Sequence, residues 1–132
     1  MGKIAQVAWV MATANTTLPT STKTTIATVA PFTVTPGLGE LILFGWAQCT
    51  TGTNTTALKL ALVTNLPQPT FPVGEENAIT IDAAVGSTQQ LYLLLKHQVT
   101  NIGFVGVRMD VTQVGASGNG TCLQAGVVCL YL

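Results

Sequence analysis

The stretch Val105-Gly106-Val107-Arg108-Met109-Asp110-Val111-Thr112 alternates without a break between an apolar side chain and a glycine, charged or hydroxylic residue. Successive side chains of an extended strand point to opposite faces, so Val105, Val107, Met109 and Val111 share a buried face, with Arg108 and Asp110 on the outer one. A helix would repeat every 3.6 residues, and no window of the chain does so, because Gly, Thr, Val and Pro interrupt each candidate.

Downstream of this strand, Gly115-Ala116-Ser117-Gly118-Asn119-Gly120 reads as a tight turn, and 121–132 as a closing apolar strand. Upstream, Leu91, Leu93 and Leu95 face away from Tyr92, Leu94 and Lys96, while Ile79 and Ile81 alternate with Thr80 and Asp82. The Gly86-Ser87 turn between them makes the two strands hairpin-like neighbours. The segment 65–77, with Pro67, Pro69, Pro72 and Gly74, is the longest irregular connection, of the kind that often carries recognition. Leu58, Leu60 and Leu62 point opposite to Lys59. In 40–49, Leu41, Leu43, Gly45 and Ala47 oppose Ile42, Phe44, Trp46 and Gln48, so both faces are apolar and both are expected to be covered. Ile26 and Thr28 oppose Thr25, Ala27 and Val29 until Pro31 edges the strand. Strand 4–14 precedes a turn-like run at 15–21.

Evenly spaced short strands predict an all-β protein: an antiparallel β-sandwich of jelly-roll type, about eight strands, in a single domain. Residues 1–20 read as an N-terminal strand or arm able to dock on or exchange with a neighbour, and 21–132 as the sandwich.

Composition bounds the function. Of 132 residues, 48% are hydrophobic and 8% charged, against roughly 25% charged in an ordinary soluble domain. Five basic residues balance five acidic ones, so little net repulsion keeps copies apart, and much of the surface is expected to face other protein. Threonine, present 22 times, supplies strand-forming residues without charge. Apolar runs such as 41–47 and 91–95 fall well short of the roughly 20 residues of a membrane-spanning helix, so no such span is expected. The N-terminus lacks the unbroken apolar core of a secretory signal. Lys3, Lys23, Lys59, Lys96 and Arg108 are scattered, which argues against a nucleic-acid stripe.

Cys49, Cys122 and Cys129 form no C-x-x-C pair. Cys122 and Cys129, seven apart on one strand, fall on opposite faces unless a bulge intervenes. The expectation is buried free thiols, with a bridge from Cys49 to Cys122 or to Cys129 left open. His97 is the lone histidine; no spacing ties it to Asp82 or Asp110 and an activated Ser21, Ser87 or Ser117, so it reads as a strand-end residue making one ordinary hydrogen bond. Glu75-Glu76 offers at most oxygen ligands for calcium, and no metal, cofactor or catalytic residue is expected. The chain reads as a non-enzyme.

The strand Gly39-Glu40-Leu41-Ile42-Leu43-Phe44-Gly45, the strand Leu58-Lys59-Leu60-Ala61-Leu62-Val63 and the ending 113–121 give 22–132 a resemblance to short, tumour-necrosis-factor-like jelly-roll proteins of virus particles. The resemblance implies a sandwich that packs as a homotrimer and serves as a capsid decoration (cement), spike or minor capsid subunit, in bacteriophages among others, located on the virion surface beside a major capsid or other virion protein. It brings no catalytic residues.

Aromatic residues with a polar tip are favoured in interface cores, and Phe44, Trp46, Tyr92, Tyr131 and Trp9 are the candidate subunit-interface residues. The competing reading is a carbohydrate-binding, lectin-like module that meets a host-surface glycan. That reading needs exposed Trp or Tyr beside Asn, Asp or Gln, whereas every Trp and Tyr here lies within an apolar strand.

Overall fold

A computed structural model describes residues 5–12, 15–20, 22–35, 39–64, 78–82, 86–98, 104–115 and 117–131. Nine strands follow in chain order: β1 (Ala5–Ala12), β2 (Thr16–Leu18), β3 (Thr24–Thr33), β4 (Glu40–Thr50), β5 (Ala57–Thr64), β6 (Ala78–Asp82), β7 (Thr88–Gln98), β8 (Phe104–Val114) and β9 (Gly120–Tyr131). The first sheet runs β1-β9-β4-β7, with β2 continuing the β1 edge along β9; the second runs β3-β8-β5-β6, and all neighbours are antiparallel.

From β2 onward the chain crosses between sheets at every connection except β5 to β6. That order is the double Greek key of a jelly roll, eight strand positions with the first divided into β1 and β2. The segment read as an N-terminal arm lies antiparallel on β9 of its own chain.

The alternation that set the fold class holds in detail. Val105, Val107, Met109 and Val111 are fully buried, and they meet Leu58, Leu60 and Leu62 of β5 and Leu41 and Leu43 of β4 in one core between the sheets. Each such side chain contributes about 1.5–3 kcal/mol on leaving water. Gly45 leaves room for this packing, since a Cβ there would come within 2.9 Å of Met109 Sδ. On the outer face of β8, Arg108 and Asp110 pair at 3.3 Å, and Asp110 also accepts a hydrogen bond from Thr25 Oγ1 at 2.7 Å. Lys59 is half-buried, but Ala61 and Val63 beside it on the outer face of the second sheet are buried.

At four places the structure departs from strict alternation or from the simplest reading of a turn. A register shift in β3 between Thr25 and Ala27 turns Ile26 and Ala27 both inward and leaves Thr28 exposed. A shift in the β4–β9 ladder leaves Leu123 as the extra residue, so Cys122 and Cys129 both face the core. β6 pairs with β5 in the second sheet and β7 with β4 in the first, so the Gly86-Ser87 turn is a crossing and not a hairpin. The connection containing Gly115 and Gly118 likewise carries the chain from β8 in one sheet to β9 in the other.

That last crossing is held by Gln113, which is fully buried. Its Oε1 accepts from Gly52 N at 2.7 Å and Thr55 Oγ1 at 2.9 Å, and its Nε2 donates to the carbonyls of Leu18 at 2.9 Å and Gly118 at 3.3 Å. Gly52 is required at this junction, because a Cβ would collide with the Gly118 carbonyl. The irregular segment 65–77, including Glu75-Glu76, lies outside the described residues.

Candidate functional site

The inner face of the first sheet belongs to the core; its outer face does not. The register aligns outward-facing residues in rows across the four strands. One row runs Trp9, Val128, Phe44 and Leu94; the next runs Met11, Gly126, Trp46 and Tyr92. Trp9 is 59% exposed, Met11 50%, Tyr92 54% and Leu94 62%, while Phe44, Trp46, Val128, Ile42 and Leu130 are half-buried. Large apolar side chains thus meet water over the whole width of the sheet, far from the scattered single residues of an ordinary surface.

The two ends of this face are polar in different ways. At one end Lys96 and Glu40 form an exposed ion pair at 3.0 Å, the only charges on the face among the described residues. At the other, Gln124, Gln48 and Gln90 stand in one row on β9, β4 and β7. Between that row and the aromatics lies an open groove of about 360 Å³ lined by Phe44, Trp46, Ala47, Gln48, Gln90, Tyr92 and Gln124.

Glycine shapes the groove. Gly126 lies opposite Trp46, and a Cβ there would sit 2.5 Å from Trp46 Nε1, so the indole rests flat across the β9 backbone. On the other side the Phe44 and Tyr92 rings stack with centroids 6.1 Å apart and planes inclined by 24°. The Tyr92 hydroxyl donates to Gln90 Oε1.

Four of the five aromatics singled out from sequence therefore share one surface, and Tyr131 does not. It packs against the core opposite Leu41, and its hydroxyl donates to the Thr35 carbonyl at 2.6 Å. The structure adds Met11, Leu94 and the three glutamines. It also reverses the argument drawn from strand membership. Tyr92 and Trp46 lie in apolar strands yet are exposed or half-exposed beside amide side chains, because lying in a strand does not fix which face is covered.

The remaining reactive groups are apart from this face. His97 Nε2 is buried without a hydrogen-bond partner among the described residues, where one ordinary bond was expected, and burial lowers the imidazole pKa below its ordinary value. Cys49, Cys122 and Cys129 are free and buried. A hydrogen bond with Cys122, and then burial, push the Cys49 thiol well above the usual range; burial alone raises Cys129 to about 12. No group of three or more His, Cys, Asp or Glu side chains converges among the described residues. No described helix is long and apolar enough to cross a membrane.

No protein family and no curated protein matches the chain in sequence. Its fold does have solved counterparts. It is similar to a chain of the T13 infectious bursal disease virus particle, with a TM-score of 0.55, 11% identity, and 96% of this chain but 30% of the viral one covered. It is also similar to chains of the Gx strain (TM-score 0.52, 11% identity, 98% and 32% covered) and the Gt strain (0.50, 12%, 96% and 32%) of infectious bursal disease virus. The chain spans about a third of the length of those viral chains, and at such identity the likeness is one of fold.

Proposed function

We propose that this chain is a structural subunit of a virus particle, a capsid decoration, spike or minor capsid protein that assembles as a closed homotrimer through the outer face of its first sheet. The observation that carries the reading is the continuous exposed apolar band Trp9, Met11, Phe44, Trp46, Tyr92 and Leu94 on a chain with only 8% charged residues. A continuous apolar face of that kind marks an interaction surface, and cyclic symmetry covers the same patch on every copy. The jelly-roll likeness to particle chains of infectious bursal disease virus supports the virion setting. The reading assigns the protein no catalytic role.

Light scattering of the purified protein over a range of concentrations tests the assembly. The expected mass is that of a trimer. Leu94→Lys, at a position 62% exposed, is expected to shift the protein toward monomer while leaving the fold intact. A wild-type monomer at every concentration overturns the self-assembly reading.

A second reading is favoured by one specific feature, the groove where Trp46 and Tyr92 face Gln48, Gln90 and Gln124. Aromatic faces for the C–H side of a sugar ring, amides for its hydroxyls and no charged lining residue suit a neutral saccharide. A monomer that binds neutral oligosaccharides, and loses them on Tyr92→Ala, would move the function to glycan recognition.

A further inference from the structure

The sequence left two partners open for Cys49, and the strand register separates them. Cys49 lies directly opposite Cys122 across the β4–β9 ladder, whereas Cys129 lies opposite Leu43. Six residues of extended strand separate Leu43 from Cys49, on the order of 20 Å, which no disulfide spans. Directly opposed antiparallel residues have Cα atoms about 4.5–5.5 Å apart, inside the range that a disulfide requires. The β9 bulge at Leu123 is what brings Cys122 to the inner face, and there the two thiols share a hydrogen bond.

We infer that Cys49 and Cys122 are a paired dithiol that closes to an intrachain cystine between β4 and β9 when the protein meets a small-molecule disulfide, with Cys129 remaining a thiol. The pair sits at the last rungs of β4 and the first of β9, at the end of the sandwich where the chain turns into the Thr51-Gly52 loop. Cys122 is the attacking group, since it keeps 3% of its surface accessible where Cys49 has none; its thiol donates to the Gln124 carbonyl at 3.5 Å and gives up that proton to solvent as it attacks.

In the first step the Cys122 thiolate attacks one sulfur of glutathione disulfide, whose S–S bond breaks and releases one glutathione thiolate that takes up a proton. In the second, Cys49 loses its proton and attacks Cys122 Sγ, expelling the other glutathione. Two thiols and one disulfide become one cystine and two molecules of glutathione, with two electrons and two protons passed to glutathione. The staple ties the two central strands of the sheet that carries the candidate interface. The inference does not depend on the proposed function.

The test incubates the full-length folded protein in glutathione buffers of graded redox poise, then measures intact mass and maps peptides without reduction. The expected product has lost two hydrogens, carries a Cys49–Cys122 link and melts at a higher temperature than the reduced form. Cys129→Ser is expected to leave the link unchanged, while Cys49→Ser stops the reaction at a glutathione adduct on Cys122. The inference is overturned by wild-type protein that keeps all three thiols in glutathione disulfide, accumulates the adduct without closing, or links through Cys129. Those three results are read on the wild type, so a variant that fails to fold does not blur them.

Discussion

Gln113→Leu removes four hydrogen bonds while nearly preserving side-chain volume, so its cost isolates polar satisfaction from packing. Thr55 Oγ1 keeps a second acceptor, the Gly52 carbonyl at 2.9 Å. The fully buried groups left without Gln113 are Gly52 N and the Leu18 carbonyl, while the Gly118 carbonyl, only part-buried, loses its bond at smaller cost. Each orphaned buried group costs about 1–3 kcal/mol, which places the substitution at about 2–6 kcal/mol, a large part of the roughly 5–15 kcal/mol that holds a domain together. Urea denaturation at fixed protein concentration measures it as a lower midpoint at unchanged slope, and thermal unfolding as a fall on the order of 10–20 °C. Gln124→Leu serves as the control, since Gln124 is exposed and its replacement is expected to stay within about 0.5 kcal/mol. A loss below about 1 kcal/mol for Gln113→Leu would refute the claim that this amide holds the crossing between the sheets.

Two further outcomes are expected. Gly126→Ala places a methyl where the Trp46 indole lies, so tryptophan emission shifts and self-association weakens by about tenfold, equivalent to ~1.4 kcal/mol, while monomer stability changes by less than about 1 kcal/mol. Unchanged emission and association would show that the flat indole does not shape the interface. Stability is also expected to depend on pH through His97. Its folded pKa is lowered by burial from an ordinary 6.5, so the unfolded chain takes up the proton first, and stability falls as pH drops below about 6.5 toward the lower folded value. His97→Phe should flatten that slope in denaturation curves recorded between pH 7 and pH 5, and a wild-type curve already flat there would refute it.

The fold was legible wherever one face of a strand was uniformly apolar. Val105, Val107, Met109 and Val111 could be placed from period two alone, and so could Leu58, Leu60 and Leu62, because a one-residue slip would have turned every one of them away from the core between the sheets. Legibility failed where the period itself broke. The irregularities at Ile26 and Leu123 insert one residue each, and nothing in the types of those residues announces a bulge. It failed also at β6 and β7, where a short Gly-containing turn serves a crossing between sheets as readily as a hairpin. Which sheet a strand joins is decided by partners distant in the chain, and local spacing carries no record of them.

The candidate site shows the same limit from the other side. On β4 the sequence shows two apolar faces, and composition alone suggests that both are buried; burial of Leu41, Leu43 and Ala47 against half-exposure of Phe44 and Trp46 shows that only one is. Apolar character on the second face is what the proposed assembly accounts for. The three glutamines acquire meaning only through register: Gln48, Gln90 and Gln124 are separated by more than thirty residues in sequence and stand side by side on adjacent strands. An alternating strand predicts its own two faces, whereas a binding face is a property of rows that run across strands. For this chain those rows combine a broad apolar band with an amide-lined groove at one end. Removing the band through Leu94→Lys and altering the groove through Gln48→Ala separate the two roles, because Leu94 does not line the groove and Gln48 lines it without belonging to the band.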